Sequence, residues 1–194
     1  MSKPGPIGAV LAGGRGTRLG GEKARVQLAG RPLIAWPLAA LRAVLEDVVV
    51  VAKAATALPD LAGAEVWTEP DEPAHPRAGI VHALQEAGGR GVVICAADMP
   101  LVTPGLLRRL ASEPAQGAPA VVPRAGGRLQ PLLARYEPSA LASLRGVARP
   151  ADPLSELVAA LEPRVLELPD ARPFLNVNTP ADLAAAAQFL SRDS

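Results

Sequence analysis

The sequence of 194 residues predicts one α/β domain built around a mostly parallel central sheet. Short apolar runs alternate with helical patterns along the chain, which is the order expected of βαβ units. The length is about that of one α/β domain with a single core. No internal repeat or long linker divides the chain, so we assign residues 1–194 to a single domain.

The first half of the chain supplies four predicted strands and two predicted helices. A helix is expected within residues 32–46, because leucine and isoleucine recur there with a period of 3.6 residues. Pro37 should kink this helix or mark its true start, with Trp36 outside. A second helix is predicted around residues 78–87. The predicted strands are apolar runs, of which the β-branched run at 48–52 should be buried on both faces: 7–12, 48–52, 64–68 and 91–95.

The second half begins with a helix directly after Asp98, because Thr103 and Pro104 form an N-cap followed by a first-turn proline. A capping box from Thr179 to Asp182 predicts the start of a C-terminal helix. The strand at 129–136 should be antiparallel, since only a short glycine-containing turn separates it from the preceding strand. The other predicted elements are a strand at 120–123, helices at 138–144 and 153–161, and a short strand at 165–168.

Composition excludes several classes of protein. The chain is 49% hydrophobic and 20% charged, a balance that excludes a disordered protein. Net charge is +1 and aromatic content is 3%, so few rings could stack on bases and nucleic acid is not an expected partner. Cys95 is the only cysteine, which predicts a reducing, cytoplasmic setting. The chain has no uninterrupted apolar run of about 18 residues, so no membrane association is expected.

The strongest chemical signal is the glycine-rich stretch at 10–23, which contains five glycines and three cationic side chains directly after the first predicted strand. Glycines let successive backbone N–H groups converge on an anion, and Arg18 and Lys23 are natural partners for phosphates. A P-loop is disfavoured because no Ser or Thr follows Lys23, and the dinucleotide fingerprint fails at Leu19. The alternative is a flexible surface loop with solvated arginines.

A second signal is Asp98, which lies just beyond the predicted strand at 91–95. Ligands of open α/β sheets bind at the carboxyl ends of the strands, and a carboxylate there suits Mg²⁺. The alternative is a turn residue that precedes Met99 and Pro100.

Three other reactive side chains are given no catalytic role. His75 and His82 are seven residues apart, but His75 precedes Pro76 and should lie outside the helix, so a two-histidine metal site is disfavoured. Cys95 should be a small buried hydrophobic residue. The chain has no Gly-x-Ser-x-Gly motif, and hydrolase chemistry is therefore unsupported.

Taken in order, the motifs resemble those of the molybdenum cofactor guanylyltransferases, within the broader nucleotidyltransferase group. The family's opening signature is matched by Leu11-Ala-Gly-Gly14 with Arg18 and Lys23, and its Asp-x-Pro by Asp98-Met-Pro100. The resemblance implies a three-layer Rossmann-like nucleotidyltransferase fold with a mostly parallel sheet and one antiparallel strand. Further matches are Gly30-Arg-Pro-Leu33, Gln130-Pro-Leu132, the stretch 176–183, and, with His75 and Arg77 as departures, Pro76-Arg-Ala-Gly-Ile80.

Two other positions depart from the family pattern. The family often has Asn where Val51 stands, and Cys where Ala97 stands. A side-chain contact to the nucleotide from the Val51 position is therefore lost, but neither change removes a group that the chemistry needs.

The resemblance implies roles for the nucleotide-binding residues. Backbone atoms of Leu11, Ala12, Gly13 and Gly14 would contact GTP, while Lys23 would bind its phosphates.

The metal and base-reading carboxylates are also implied by the resemblance. Asp98 would hold magnesium, and Asp71 would bind the guanine end, with Glu69 and Glu72 as alternatives in the same acidic stretch. A carboxylate suits guanine because it accepts hydrogen bonds from N1–H and the exocyclic amine together. A solvated acidic turn is the other interpretation of this stretch.

The resemblance also implies the reaction. A phosphate oxygen of molybdopterin would attack the α-phosphorus of GTP, with Lys23, Asp98 and Arg18 as catalytic residues and Mg²⁺ as cofactor. The nucleophile is already ionised, so no general base is required. Asn176 and Asn178 would bind the pterin, although Asn178 or Thr179 could instead cap the last helix. Transient contact with molybdenum cofactor carrier or acceptor proteins is expected.

Two other functions stay open on the sequence. One is a cytidylyl or other nucleotidyl transfer to a cofactor or a sugar phosphate; cytidylyl relatives read Leu-Ala-Ala-Gly, so Gly13 favours GTP. The other is a nucleotide-binding protein without catalysis, against which the pair Lys23 and Asp98 argues.

Overall fold

The structure is a computed structural model that describes residues 5–13, 23–146 and 152–192. The predicted site residues Gly14 and Arg18 lie outside these ranges. The strands are β1 (Ile7–Leu11), β2 (Gln27–Leu28), β3 (Arg31–Pro32), β4 (Val48–Lys53), β5 (Glu65–Glu69), β6 (Val92–Ala96), β7 (Ala120–Ala125), β8 (Arg128–Leu129), β9 (Leu133–Tyr136) and β10 (Arg164–Glu167).

Eight of these strands form one sheet. Seven follow the order β10-β7-β9-β6-β1-β4-β5, and the short β8 pairs antiparallel with β7. β1 lies at the centre and pairs in parallel with β4 and β6, while β9 runs antiparallel to both β6 and β7. The predicted sheet, mostly parallel with an antiparallel strand, is therefore confirmed.

Helices cover both faces of the sheet: α1 (Ala35–Arg42), α2 (Pro76–Glu86), α3 (Pro104–Ser112), α4 (Ala140–Arg145), α5 (Leu154–Ala159) and α6 (Pro180–Arg192). Successive strand residues face opposite sides, so Val10 packs in one core with α1 and α3, and Ala9 in another with α2, α4 and α5. A third, smaller core joins α6 to the β2–β3 hairpin through Leu28, Val177 and Ala186. The three-layer fold is confirmed.

Two helices, α3 and α6, begin as their sequence signals predict. The Thr103 hydroxyl accepts a hydrogen bond from the Leu106 backbone N–H at 3.3 Å, with Pro104 in the first turn of α3. At α6, the Thr179 hydroxyl accepts from the Asp182 N–H at 3.2 Å and the Asp182 carboxylate accepts from the Thr179 N–H at 2.8 Å. This reciprocal pair is a capping box, as predicted.

The structure corrects two predicted elements. Trp36 lies inside α1, and Pro37 occupies its first turn, where a missing N–H breaks no intrahelical hydrogen bond. The predicted strand at 129–136 is divided into β8 and β9 by a turn that contains Pro131, a residue without an N–H for the strand ladder. Within the described ranges, no helix is long and apolar enough to cross a membrane.

Candidate active site

A cavity of about 520 Å³ opens at the carboxyl ends of β1, β4, β5 and β6, where the sequence predicts ligand binding. Its volume lies in the range of small-molecule sites. It is lined by Leu11, Ala12, Gly13, Lys23, Ala24, Lys53, Glu69, Ala74, His75, Pro76, Gly79, Ala96, Ala97, Asp98 and Leu132.

One cluster in this site joins three motifs that are far apart in the sequence. Lys23 begins a short 3-10 helix, and its ammonium group donates to Asp98 Oδ2 and, at 2.6 Å, to Asn178 Oδ1. The side chains of Lys23 and Asp98 are 15% and 17% exposed, so solvent screens this ion pair less than a surface pair. The structure thus brings together the predicted phosphate, metal and pterin residues.

The second oxygen of Asp98 has no partner. Asp98 Oδ1 is buried and accepts no hydrogen bond from any described group, and the same holds for Asn176 Oδ1. A buried acceptor without a donor costs about 1–3 kcal/mol, which a bound ligand can recover. Asp98 lines the cavity and Asn176 does not, so the unpaired Asp98 oxygen is the one that marks this end of the cavity as a binding position.

This donor set fits a magnesium ion shared with substrate phosphates. Mg²⁺ is usually bound by one or two carboxylates, with phosphate oxygens and waters completing its six ligands. Asp98 Oδ1 offers one such carboxylate oxygen. Among the residues that the structure describes, no group of three or more His, Cys, Asp or Glu could form an all-protein metal site.

The start of α6 fixes Asn178 beside Lys23. The Asp182 carboxylate accepts from the backbone N–H of Asn178 at 3.0 Å, and this hydrogen bond is the main reason that the pKa of Asp182 is lowered. The backbone N–H of Val177 donates to the Asp98 carbonyl oxygen at 2.9 Å. Because Thr179 and Asp182 cap the helix, the Asn178 side chain is available for the ion-pair cluster.

At the other end of the cavity lies a buried carboxylate, Glu69, which is only 7% exposed. Glu69 is the last residue of β5 and the register partner of Lys53 on β4. It lies between two glycines: a Cβ at Gly13 would overlap Glu69 Oε1, and a Cβ at Gly79 would lie 3.2 Å from Oε2. The absence of side chains at both positions makes room for the carboxylate.

The charge of Glu69 is set by opposing effects. Burial raises the pKa of Glu69, and the positive charges of Lys53 and His82 lower it in part. Lys53 is held in place because its ammonium donates to the carbonyl oxygens of Asp71 and, at 2.8 Å, of Pro70. The lysine thus anchors the loop after β5 and keeps a cation close to the carboxylate.

The structure places Asp71 and Glu72 outside the cavity. Both are exposed and neither lines it; Asp71 meets Lys53 through its backbone oxygen, and Glu72 Oε2 accepts from the Ala74 N–H at 3.0 Å. Of the three carboxylates that the sequence left open, Glu69 lies in the cavity. The predicted end of β5 at residue 68 was one residue too early, and Glu69 continues the ladder with β4 instead of entering the loop.

Two polar residues line this cavity to which no binding role was assigned from the sequence, Lys53 and His75. His75 caps α2, as its Nδ1 accepts from the Arg77 N–H at 3.1 Å, and it lies outside the helix as predicted. The available signal was Pro76, which marks a first helical turn and hence a cap at the residue before it. Cys95 is fully buried in the core, as expected, and burial raises the pKa of its thiol.

Comparison with known proteins identifies the family of this chain. A family model described as the MobA-like NTP transferase domain matches residues 8–165. A probable molybdenum cofactor guanylyltransferase of Chloroflexus aggregans is 36% identical, covering 94% of each chain. A molybdenum cofactor guanylyltransferase of Cereibacter sphaeroides is 33% identical over 97% of this chain and 98% of its own.

Among solved structures, the molybdopterin-guanine dinucleotide biosynthesis protein A of Archaeoglobus fulgidus superposes with a TM-score of 0.71. It is 29% identical, and the match covers 96% of this chain and 99% of that protein. The family match spans most of the chain, and the relatives match it nearly end to end. The protein therefore belongs to the MobA-like NTP transferase family.

Proposed function

We propose that the protein transfers GMP from GTP to molybdopterin, forming molybdopterin guanine dinucleotide and releasing pyrophosphate. The observation that carries the proposal is one cavity with a lysine–carboxylate cluster at one end and a buried carboxylate at the other. The first suits a triphosphate, and the second suits a base that donates hydrogen bonds. The names of the relatives, guanylyltransferases of the molybdenum cofactor, support the same reaction.

At the phosphate end, Lys23 and Asp98 are the catalytic residues. Lys23 would bind the triphosphate, and its contacts with Asp98 and Asn178 hold the ammonium group in position before substrate arrives. Asp98 would hold Mg²⁺ through Oδ1, and the bound ion would neutralise charge on the phosphates. Arg18 and Gly14 keep their predicted roles in binding the triphosphate.

The reaction is an in-line displacement. A phosphate oxygen of molybdopterin forms a bond to the α-phosphorus of GTP, and the bond from that phosphorus to the bridging oxygen breaks, so that pyrophosphate leaves with the electron pair. The chain's residues position the two substrates and neutralise charge, and no side chain needs to accept a proton. Asn178 contacts Lys23, and Val177, which lies between Asn176 and Asn178 in the sequence, contacts the Asp98 backbone. The pterin would bind at this segment, as predicted for the two asparagines.

At the base end, Glu69 takes the role that the sequence resemblance gave first to Asp71. The ionised carboxylate would accept from guanine N1–H and the exocyclic amine, a pair of charge-assisted hydrogen bonds. Leu11, Ala12 and Gly13 line the same cavity, and their backbone atoms would contact GTP. Cytosine has a single exocyclic amine beside a ring acceptor, so it would satisfy only one oxygen of the carboxylate.

Nucleotide-dependent thermal stability tests this assignment, because a ligand that binds only the folded state raises its melting temperature. With Mg²⁺, GTP should raise the melting temperature more than CTP, ATP or UTP. Glu69→Gln should remove that preference, whereas Asp71→Asn, the matched control on an exposed carboxylate, should keep it. An equal or larger shift with CTP in the unaltered protein would overturn the guanine assignment.

A further inference from the structure

His75 carries a hydrogen-bond donor in the same cavity as Glu69. It is the N-cap residue of α2, and its ring lines the cavity. Its Nδ1 accepts a hydrogen bond from the backbone N–H of Arg77 at 3.1 Å. A ring nitrogen that accepts a hydrogen bond carries no proton, so the proton of the neutral imidazole lies on Nε2.

The helix cap therefore fixes both the tautomer and the orientation of the ring. None of the protein groups in the described ranges accepts a hydrogen bond from His75 Nε2. Pro76, the next residue, restricts the His75 backbone to the extended conformation that it has, with φ −135° and ψ 140°. A preorganised N–H group that lines a cavity and has no protein acceptor is available to a ligand.

We propose that His75 is a specificity-determining residue whose Nε2–H donates a hydrogen bond to O6 of guanine. This proposal rests on the proposed function, and it adds His75 to Glu69; we call these two residues the base-reading set. Guanine presents the donors N1–H and N2–H beside the acceptor O6, and the cavity that Glu69 and His75 both line offers the complementary groups, a carboxylate acceptor and an N–H donor. Adenine would direct its N6 amine at the imidazole N–H, and two facing donors oppose binding.

A serine at position 75 separates base recognition from helix capping. Serine is a good N-cap residue, so His75→Ser should keep the start of α2 and the melting temperature of the nucleotide-free protein. Its short side chain lacks the ring N–H, so GTP affinity should fall about 5- to 100-fold, because guanine O6 is left without a donor. His75→Ala, which removes both the cap and the N–H, should lower the melting temperature as well.

A nucleotide without O6 identifies the atom that His75 contacts. Binding by isothermal titration calorimetry in Mg²⁺ would compare GTP with 2-aminopurine riboside triphosphate, which lacks O6 and also N1–H. Because the lost N1–H weakens binding of this nucleotide at Glu69 in every variant, only the change caused by the substitution at position 75 is compared. We expect His75→Ser to weaken GTP binding and to leave binding of the 2-aminopurine nucleotide unchanged. An unchanged GTP affinity, or an equal loss for both nucleotides, would overturn the proposal.

The same experiment keeps the two proposals apart. If the unaltered protein does not prefer GTP over the other triphosphates, the proposed function itself fails. If it prefers GTP, and the preference depends on Glu69 but not on His75, only the role of His75 is refuted. Loss of the preference in both Glu69→Gln and His75→Ser supports the complete base-reading set.

Discussion

Replacing Gly13 with alanine tests whether the Glu69 carboxylate reads the base. A Cβ at position 13 would overlap Glu69 Oε1, so the carboxylate must leave the place that it occupies between the two glycines. The backbone at Gly13 does not have the positive φ that requires glycine, and alanine should therefore fit the main chain. The substitution displaces the glutamate, and because Gly13 also lines the cavity, CTP binding serves as the control for a direct contact between the new methyl group and the nucleotide.

The size of the effect follows from the hydrogen bonds that Glu69 would lose. A hydrogen bond to a charged group contributes about 1.5–3 kcal/mol, and 1.4 kcal/mol is about tenfold in affinity, so losing one bond should weaken GTP binding about 10- to 150-fold. Gly79→Ala is the matched control, since its Cβ would lie 3.2 Å from Glu69 Oε2 and 3.3 Å from a methyl of Leu11. These are tight contacts that small shifts relieve, and alanine favours the helix by about 1 kcal/mol.

Isothermal titration calorimetry with GTP and CTP in the presence of Mg²⁺ measures this effect. Gly13→Ala should lose most of the preference for GTP over CTP, whereas Gly79→Ala should keep it. If Gly13→Ala has unchanged GTP affinity and an unchanged preference for GTP over CTP, Glu69 does not bind the base.

Three further predictions concern the charged groups of the cavity. Burial raises the folded-state pKa of Glu69 above its ordinary value of 4.5. In the absence of nucleotide, the free energy of unfolding should therefore fall as the pH rises from 4.5 through the raised pKa. Glu69→Gln should remove this pH-dependent loss of stability, which chemical denaturation across that pH range measures. Lys53→Met removes a positive charge that lowers the pKa of Glu69, so on acidification GTP affinity should begin to fall at a higher pH than in the unaltered protein. Lys53→Arg should restore the original dependence of GTP affinity on pH. Identical pH dependences in Lys53→Met and the unaltered protein would show that Lys53 does not support the ionised carboxylate. Asp98→Asn should reduce pyrophosphate release by on the order of 10²-fold with little change in melting temperature, and full release with unaltered Mg²⁺ dependence would remove Asp98 from the mechanism.

The sequence predicts the fold well where local chemistry decides an element. The β-branched run at 48–52 and the cap at Thr103 each act through neighbouring residues, and both elements form as expected. Pro131 shows the limit, because a proline within an apolar run ends strand pairing while the hydrophobic pattern continues. The position of Asp98 in the cavity was predictable for a related reason, because it follows β6 and the carboxyl ends of neighbouring parallel strands meet at one edge of the sheet.

The base end could not be predicted at the level of individual residues. Which of three nearby carboxylates enters the cavity depends on where β5 ends, and that is decided by pairing with β4 instead of by the local sequence. The contact between Lys23 and Asn178 joins residues 155 positions apart, and no local pattern indicates it. Lys53 and His75 received no binding role because neither position has a distinct sequence signature for one. In the structure each also makes a structural contact: Lys53 donates to a loop carbonyl oxygen, and His75 accepts from a helix N–H.

The most direct test of GMP transfer from GTP to molybdopterin is a measurement of pyrophosphate release with purified protein, Mg²⁺, molybdopterin and one nucleoside triphosphate at a time. We expect pyrophosphate release with GTP, and this release should require molybdopterin. Release with CTP, ATP or UTP should be lower than with GTP by at least about tenfold, the scale of one lost charge-assisted hydrogen bond. Equal release with CTP, or tight GTP binding with no release in the presence of molybdopterin, would contradict the proposed function.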